Sequence, residues 1–383
     1  MVEKEFVPEG AVTSISDIVN KFAKVDVYSG DFIFSEKVSK TADFNDAQGT
    51  HHKDYVVVTD YITTGEKDVA KCIQKAIDEN PNKTIYFPDG AYLINRPIKT
   101  SADPAKAVSF HLSNYAHINT ISTKWEGGDA LFELGALDSD KDAVCSFVGG
   151  ILGGGGVTGG VVVKGGSALI NNFSLKQTTI GLAVKEGARA DIDSGVVIGS
   201  GSGENGAIGV LIESDECTVT NMRLCYIWVG IRVTGKNNIF RNLHPLYIGS
   251  DNYNSCGFWD TGDRNFFDVC YSDQLAIGFR VGPETNSIFN GCFVMWYAGA
   301  YSNGVQYGFQ FDGQMNSIIR DTVVSLAWTQ PDTTYVKIAE DGGNGVILYP
   351  RISSPGMDKH LVMENGNVVG GAYYDYVKTP FLK

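Results

Sequence analysis

Between Gly230 and Asp321 the apolar residues come in short alternating runs, not in a helical period. Gly230-Ile-Arg-Val is followed by Asn238-Ile-Phe-Arg, and Gly257-Phe-Trp-Asp by Asn265-Phe-Phe-Asp. Gly278-Phe-Arg-Val is followed by Asn286-Ser-Ile-Phe, and Gly308-Phe-Gln-Phe by Asn316-Ser-Ile-Ile. Each Asn lies eight residues after its Gly. The register runs upstream through Gly160, Gly181 and Gly209, and successive starts are 21, 28, 21, 27, 21 and 30 residues apart. One and three residues after each Gly the side chains are almost all apolar and point inward, since strand side chains alternate. The residue between them points outward; on three successive units it is Arg232, Trp259 and Arg280. Asp260 stands at an inward position that is elsewhere Val, Ile or Phe, so it needs bonded partners. Units this short cannot bury their own apolar face and must stack on one another.

The expected architecture is all-β. Asn238, Asn265, Asn286 and Asn316 stack at one turn, each amide bonding to the copies above and below. The repeat resembles the right-handed parallel β-helix of the pectin-lyase-like superfamily, which includes pectate lyases, polygalacturonases, fructotransferases and phage tailspikes. A second likeness lies in Asp68-Val-Ala-Lys-Cys-Ile-Gln-Lys-Ala-Ile-Asp and Thr84-Ile-Tyr-Phe-Pro-Asp-Gly-Ala-Tyr-Leu-Ile. These are similar to the opening segment of pectate-lyase-like domains shared by polysaccharide-active enzymes and tailspikes. The first segment reads as an amphipathic helix over 66–79 that caps the open first coil. Residues 1–59 form an N-terminal arm, 60–350 the β-helix, and 351–383 a tail covering the last coil. The fructotransferase and tailspike branches imply a homotrimer.

Size and charge narrow the function. The 383 residues, 45 of them Gly, suit one repetitive domain. A net charge of −13 argues against nucleic acid or an anionic membrane as partner. No apolar run is long enough to span a bilayer. The start Met1-Val-Glu-Lys-Glu lacks a basic-then-apolar secretory pattern. That favours the cytoplasm or a phage particle over secretion, unless a leader has been removed. The seven Cys are odd in number and lack metal-ligand spacing, so they read as free core thiols; no metal or cofactor is expected. His51 and His52, adjacent on an extended chain, point to opposite sides and do not make a joint metal site.

The candidate chemistry lies beside the Gly-initiated strands. The longer units carry extra residues at 199–207, 249–255 and 298–306, all just before the next Gly, so they emerge on one side as a wall. The polygalacturonase motifs Asn-Thr-Asp, Asp-Asp, Gly-His-Gly and Arg-Ile-Lys are absent in register; the resemblance therefore implies where a site sits but not that activity. Asp251 and Asp273 are the candidate acid and base, or acid and nucleophile, expected to stack one strand spacing apart (~5 Å). Asp260 is a third candidate carboxylate. Glu204, Arg232, Trp259, Arg280, Tyr247, Tyr271 and Trp296 are the candidate substrate-binding residues, with Trp259 as a stacking platform. The implied function is a carbohydrate-active enzyme that cleaves or rearranges glycosidic bonds of a poly- or oligosaccharide in a groove on the β-helix side. The alternatives are a phage tail-type polysaccharide-binding or depolymerising protein, or a polysaccharide lyase; a β-helix without catalysis is the third class.

Overall fold

The computed structural model describes residues 55–121, 125–200, 206–246, 255–296, 306–326, 333–340, 343–348, 351–353, 359–363 and 373–374. Most of the N-terminal arm expected from the sequence therefore lies outside the described residues, as do His51 and His52.

The chain is a parallel β-helix. Strands pair in parallel into an 11-stranded sheet and an 18-stranded sheet. Among the described residues the α-helix α1 (Ala70–Asp78) starts later than its amphipathic pattern suggests, because the Asp68 carboxylate already takes the Ala70 N–H at 3.1 Å. It buries Ala70, Ile73, Ala76 and Ile77. Its Gln74 side chain accepts from the Lys99 N–H at 3.0 Å and donates to the Lys99 carbonyl at 2.9 Å. Lys99 lies on Ile98–Ser101, the edge strand of the 11-stranded sheet, so Gln74 supplies the bonds of the strand that is not there.

Three faces arise because the larger sheet folds in two. Its long strands, such as Ser167–Thr178 and Arg189–Gly199, turn a corner at Asn172 and Ser194; further along, the corner separates short strands such as Phe266–Asp268 and Tyr271–Asp273. The corner residues form a column in left-handed conformation: Asn172, Ser194, Asn221, Asn242, Val269, Gly291 and Asp321, with φ between 51° and 59°. Asn, Asp and Ser tolerate this region; Val269, β-branched and exposed, is the strained member.

The repeated glycines make the coils possible. From Gly160 to Gly308 they form one column, and a Cβ on Gly230 would lie 2.4 Å from the carbonyl oxygen of Gly257 and 2.4 Å from Pro245 Cβ. Beside them run two stacks of rings. Phe258, Phe279 and Phe309 lie face to face at 4.6 and 4.8 Å, and Phe240, Phe267 and Phe289 at 4.8 and 4.9 Å. The stacks meet edge-on, with Phe258 and Phe267 at 5.8 Å and 79°. Cys217, Cys270 and Cys292 are free thiols in this core, as expected.

The polar ladder differs from its expected form. Asn238 and Asn265 are buried and bonded to each other, and Cys217 N–H donates to Asn238 Oδ1 at 2.7 Å. On the next coils the rung is Ser287 and then Ser317, not Asn286 and Asn316. The reason is one inserted residue in the turn. Val233, Asp260, Val281 and Phe311 share one register, as do Ile239, Phe266, Ile288 and Ile318. The later turns are thus a residue longer, which leaves Asn286 on the surface. Asp260 is buried within this ladder and accepts from Gly262 N–H, Asn265 Nδ2 and Ser287 Oγ at 3.0, 2.9 and 2.6 Å. Burial pushes its carboxyl above the usual aspartate range, against these three donors.

The stacking does not stop at residue 350. Arg351–Ser353, Lys359–Met363 and Tyr373–Tyr374 each pair in parallel with the preceding coil, so the segment read as a tail contributes strands to both sheets.

Candidate functional site

On the 11-stranded sheet, Arg232, Trp259 and Arg280 are paired in strict register on three successive strands. Each is half-buried and flanked by residues of the main core, so all three side chains leave the same outer face. The Arg232 guanidinium lies 4.7 Å from the centre of the Trp259 ring and the Arg280 guanidinium 4.5 Å from it. Both faces of the indole are thereby covered, and the expected role of Trp259 as a stacking platform is corrected: cation–π contacts along the column already occupy the surfaces a sugar would use. The edge of the ring is what remains, and Trp259 Nε1 is buried without a hydrogen-bond partner.

The two arginines differ in charge balance. Arg280 Nε donates to Asp312 Oδ2 at 2.7 Å, and the other Asp312 oxygen accepts from Gln310 Nε2 at 2.9 Å. Arg232 makes no ion pair among the described residues, and its Nε is buried without a partner. Alongside the row runs an apolar strip of Val229, Cys256 and Ile277, separate from the main core and packed against Trp228, Trp259 and Tyr307. Burial pushes the Cys256 thiol up to about 12, so it stays protonated and apolar.

The second half of the site lies where the adjoining face of the larger sheet turns into these strands. Asp273 ends the strand Tyr271–Asp273 and is 9% exposed. Its Oδ2 is 3.4 Å from His244 Nε2, and its Oδ1 is buried without a partner. His244 stacks on Tyr271 with ring centres 4.3 Å apart and planes at 14°, and the Tyr271 hydroxyl donates to Met295 Sδ at 3.2 Å. The next residue, Gln274, has φ 64° and a buried Oε1 without a partner. Residues 274–276 form a short turn to the strand Ile277–Val281, held by Trp296 Nε1 on the Leu275 carbonyl (2.6 Å) and by Ala276 N–H on Ser255 Oγ (3.0 Å). The corresponding residues of the coils before and after, 247–254 and 297–305, lie outside the described residues. An orphaned buried carboxylate oxygen costs about 1–3 kcal/mol, and such groups concentrate where a ligand or a reaction uses them.

Several sequence expectations change here. Asp251, Glu204 and Tyr247 lie outside the described residues. Asp273 is level with Leu246 on one side and Met295 on the other. Asp260 is sealed in the ladder with all three donors bonded, which corrects its candidacy as a reacting group. Trp296 is 1% exposed and its N–H is spent on a backbone carbonyl, so it is a core residue and not a substrate contact. The sequence reading missed His244 altogether. Its signal was an outward strand position at the same rank as Tyr271, visible only once the coils are paired.

No known protein-family model matches the sequence, and no curated protein matches it. Solved structures do. The tailspike protein of E. coli bacteriophage HK620 in complex with pentasaccharide is similar at TM-score 0.63 and 12% identity, over 91% of this chain and 70% of that one. The chain folds as a right-handed parallel β-helix. The catalytic unit of a thermostable GH87 alpha-1,3-glucanase from Streptomyces thermodiastaticus strain HF3-3 is similar at TM-score 0.53 and 12% identity, over 84% of this chain and 69% of that one. At such identities the β-helix is what the likeness establishes.

Proposed function

We propose that this β-helix is a carbohydrate-active enzyme that binds a poly- or oligosaccharide across the corner between the Asp273 turn and the Arg232–Trp259–Arg280 row, and cleaves or rearranges its glycosidic bonds. The observation that carries the reading is Asp273: a nearly buried carboxylate with one free oxygen, a histidine at the other, on the outer face of the solenoid. A carboxylate so placed serves as acid, base or nucleophile at a glycosidic centre, with His244 within reach to exchange a proton with it. Asp251, on the connection after Leu246, is the second carboxylate in this reading. The arginines orient the glycan. The likeness to a tailspike crystallised with a pentasaccharide supports a saccharide ligand and a second reading, a phage tail-type depolymerising protein. A lyase reaction and a homotrimer belong to the same proposal as finer statements.

The test is Asp273→Asn and Asp251→Asn against a panel of bacterial and plant polysaccharides, with reducing-end release and absorbance of unsaturated products followed together. Loss of product in Asp273→Asn with retained fold supports the assignment. Wild-type rates in both variants on an accepted substrate overturn it. Unsaturated product directs the reading to elimination, and a single trimeric mass by light scattering supports the assembly.

A further inference from the structure

We infer that Tyr271 is a positioning residue of the reaction centre: its ring holds the His244 imidazole in the plane in which Nε2 reaches Asp273. The inference rests on the proposed function and deepens it, by moving Tyr271 from the glycan-binding surface to the support of the pair that exchanges a proton.

Strand register alone does not aim His244 at Asp273. On the outer face Arg223, His244, Tyr271 and Phe293 stand level on successive strands, and two residues further along so do Cys225, Leu246, Asp273 and Met295. The directly level neighbour of Asp273 is thus Leu246, and His244 meets the carboxylate only on the diagonal. Histidine χ2 is broad, so its own backbone does not set the plane of the imidazole. Turned a quarter away, the ring edge leaves the carboxylate and the 3.4 Å contact of Nε2 with Asp273 Oδ2 is lost.

Tyr271 supplies the missing restraint. Its ring lies face to face with the imidazole, 4.3 Å between centres and 14° between planes, and a quarter turn of the imidazole would drive its edge into the tyrosine. Tyr271 is itself held from the following strand, Phe293–Trp296. Phe293 stands edge-on to it at 4.9 Å and 64°, and the Tyr271 hydroxyl donates to Met295 Sδ at 3.2 Å. A thioether is a weak acceptor, so this bond fixes the tilt of the ring and adds little else. On the far side of His244 the level residue is Arg223, which is exposed. Support therefore passes in one direction: from Phe293 and Met295 to Tyr271, from Tyr271 to His244, and from His244 back to Asp273 on the strand of Tyr271 itself. The same contacts argue against a glycan stacked on Tyr271. The imidazole covers one face, Phe293 packs against the ring, and the hydroxyl is turned to sulfur.

The test is a double-variant cycle on the full chain: Tyr271→Leu, His244→Ala and the two combined, with Tyr271→Phe as the conservative variant, Asp273→Asn as the control for the proposed function, and thermal unfolding of each to confirm the fold. Rates are measured on the polysaccharide of the panel that wild type turns over. Tyr271→Leu should lower kcat roughly fivefold or more with KM little changed, and Tyr271→Phe, which keeps the stack, should recover most of the loss. The combined variant should fall no further than His244→Ala alone, because a residue that acts through the imidazole has nothing to act on once it is gone. A second reading needs no substrate. The chain has six His, and the proton resonances of the His244 ring, identified by their loss in His244→Ala, should lie upfield in wild type and in Tyr271→Phe, as the ring current of a stacked aromatic requires. Ordinary shifts in wild type overturn the inference. So does a change in KM with kcat retained in Tyr271→Leu, which would make Tyr271 a substrate contact. Additive losses in the combined variant beside an inactive Asp273→Asn sink the inference alone. Wild-type rates in Asp273→Asn, or no turnover of any polysaccharide by wild type, sink the proposed function and the inference with it.

Discussion

Asn238 donates both its backbone N–H, at 2.9 Å, and its side-chain amide, at 3.1 Å, to the same oxygen of Asn265, Oδ1. Asn265 passes the pattern on, donating Nδ2 to the Gly235 carbonyl and to Asp260 and its backbone N–H to Ser287 Oγ. Two neighbouring coils are thus locked at the turn by groups that water cannot reach. Asn265→Ala should strand several buried polar groups at once and cost about 2–4 kcal/mol. Asn286→Ala, one residue out of the ladder and exposed, should cost under about 1 kcal/mol. Chemical denaturation of the two variants side by side checks the contrast; equal losses would mean that the ladder position is misassigned.

The same ladder should give the protein a pH-dependent stability. Asp260 is displaced upward by burial. A carboxyl whose folded value is raised binds its proton more tightly in the folded state. Its contribution is therefore fully present below the ordinary aspartate value of 3.8 and is lost as pH rises through the raised folded value. Asp260→Asn keeps an oxygen for Gly262 and Asn265 and presents an amide to Ser287, which can accept. The melting temperature of Asp260→Asn relative to wild type should rise as pH is taken upward from about 4. A flat difference across that range would refute the linkage.

Close packing of the coils makes a methyl group costly at the glycine column. Gly230→Ala places a Cβ against the Gly257 carbonyl and Pro245, neither of which is a flexible chain end. The expected loss is about 1–3 kcal/mol or failure to fold. Phe279→Ala removes the middle ring of a stack whose neighbours lie at 4.6 and 4.8 Å and should cost about 3–5 kcal/mol. Denaturant midpoints of the soluble variants read both.

For activity, Asp273→Asn should lower kcat by roughly 10²–10⁴-fold on an accepted glycan while leaving the unfolding midpoint near that of wild type. His244→Ala should fall in the same direction by a smaller factor, since the imidazole acts through its contact with Asp273 at 3.4 Å. Initial rates at saturating substrate decide it; a change confined to KM would make both residues binding groups.

The sequence by itself determined the coil. The eight-residue offset of Asn238 and Asn265 from Gly230 and Gly257, the alternation around them and the outward Arg232, Trp259 and Arg280 are local facts, because strand periodicity and turn chemistry act over a few residues. They place Arg232, Trp259 and Arg280 in one outward column. What stacks on what across coils was decided only by the tertiary structure. A single residue added after Val281 moved the ladder from Asn286 to Ser287. Leu246 came level with Asp273, and His244 came beside it. Trp259 lost its faces to its own neighbours, and Trp296 turned inward. The period of a repeat sets which face a side chain leaves from, but the length of each turn sets its rank along the stack, and rank is what brings two residues into contact.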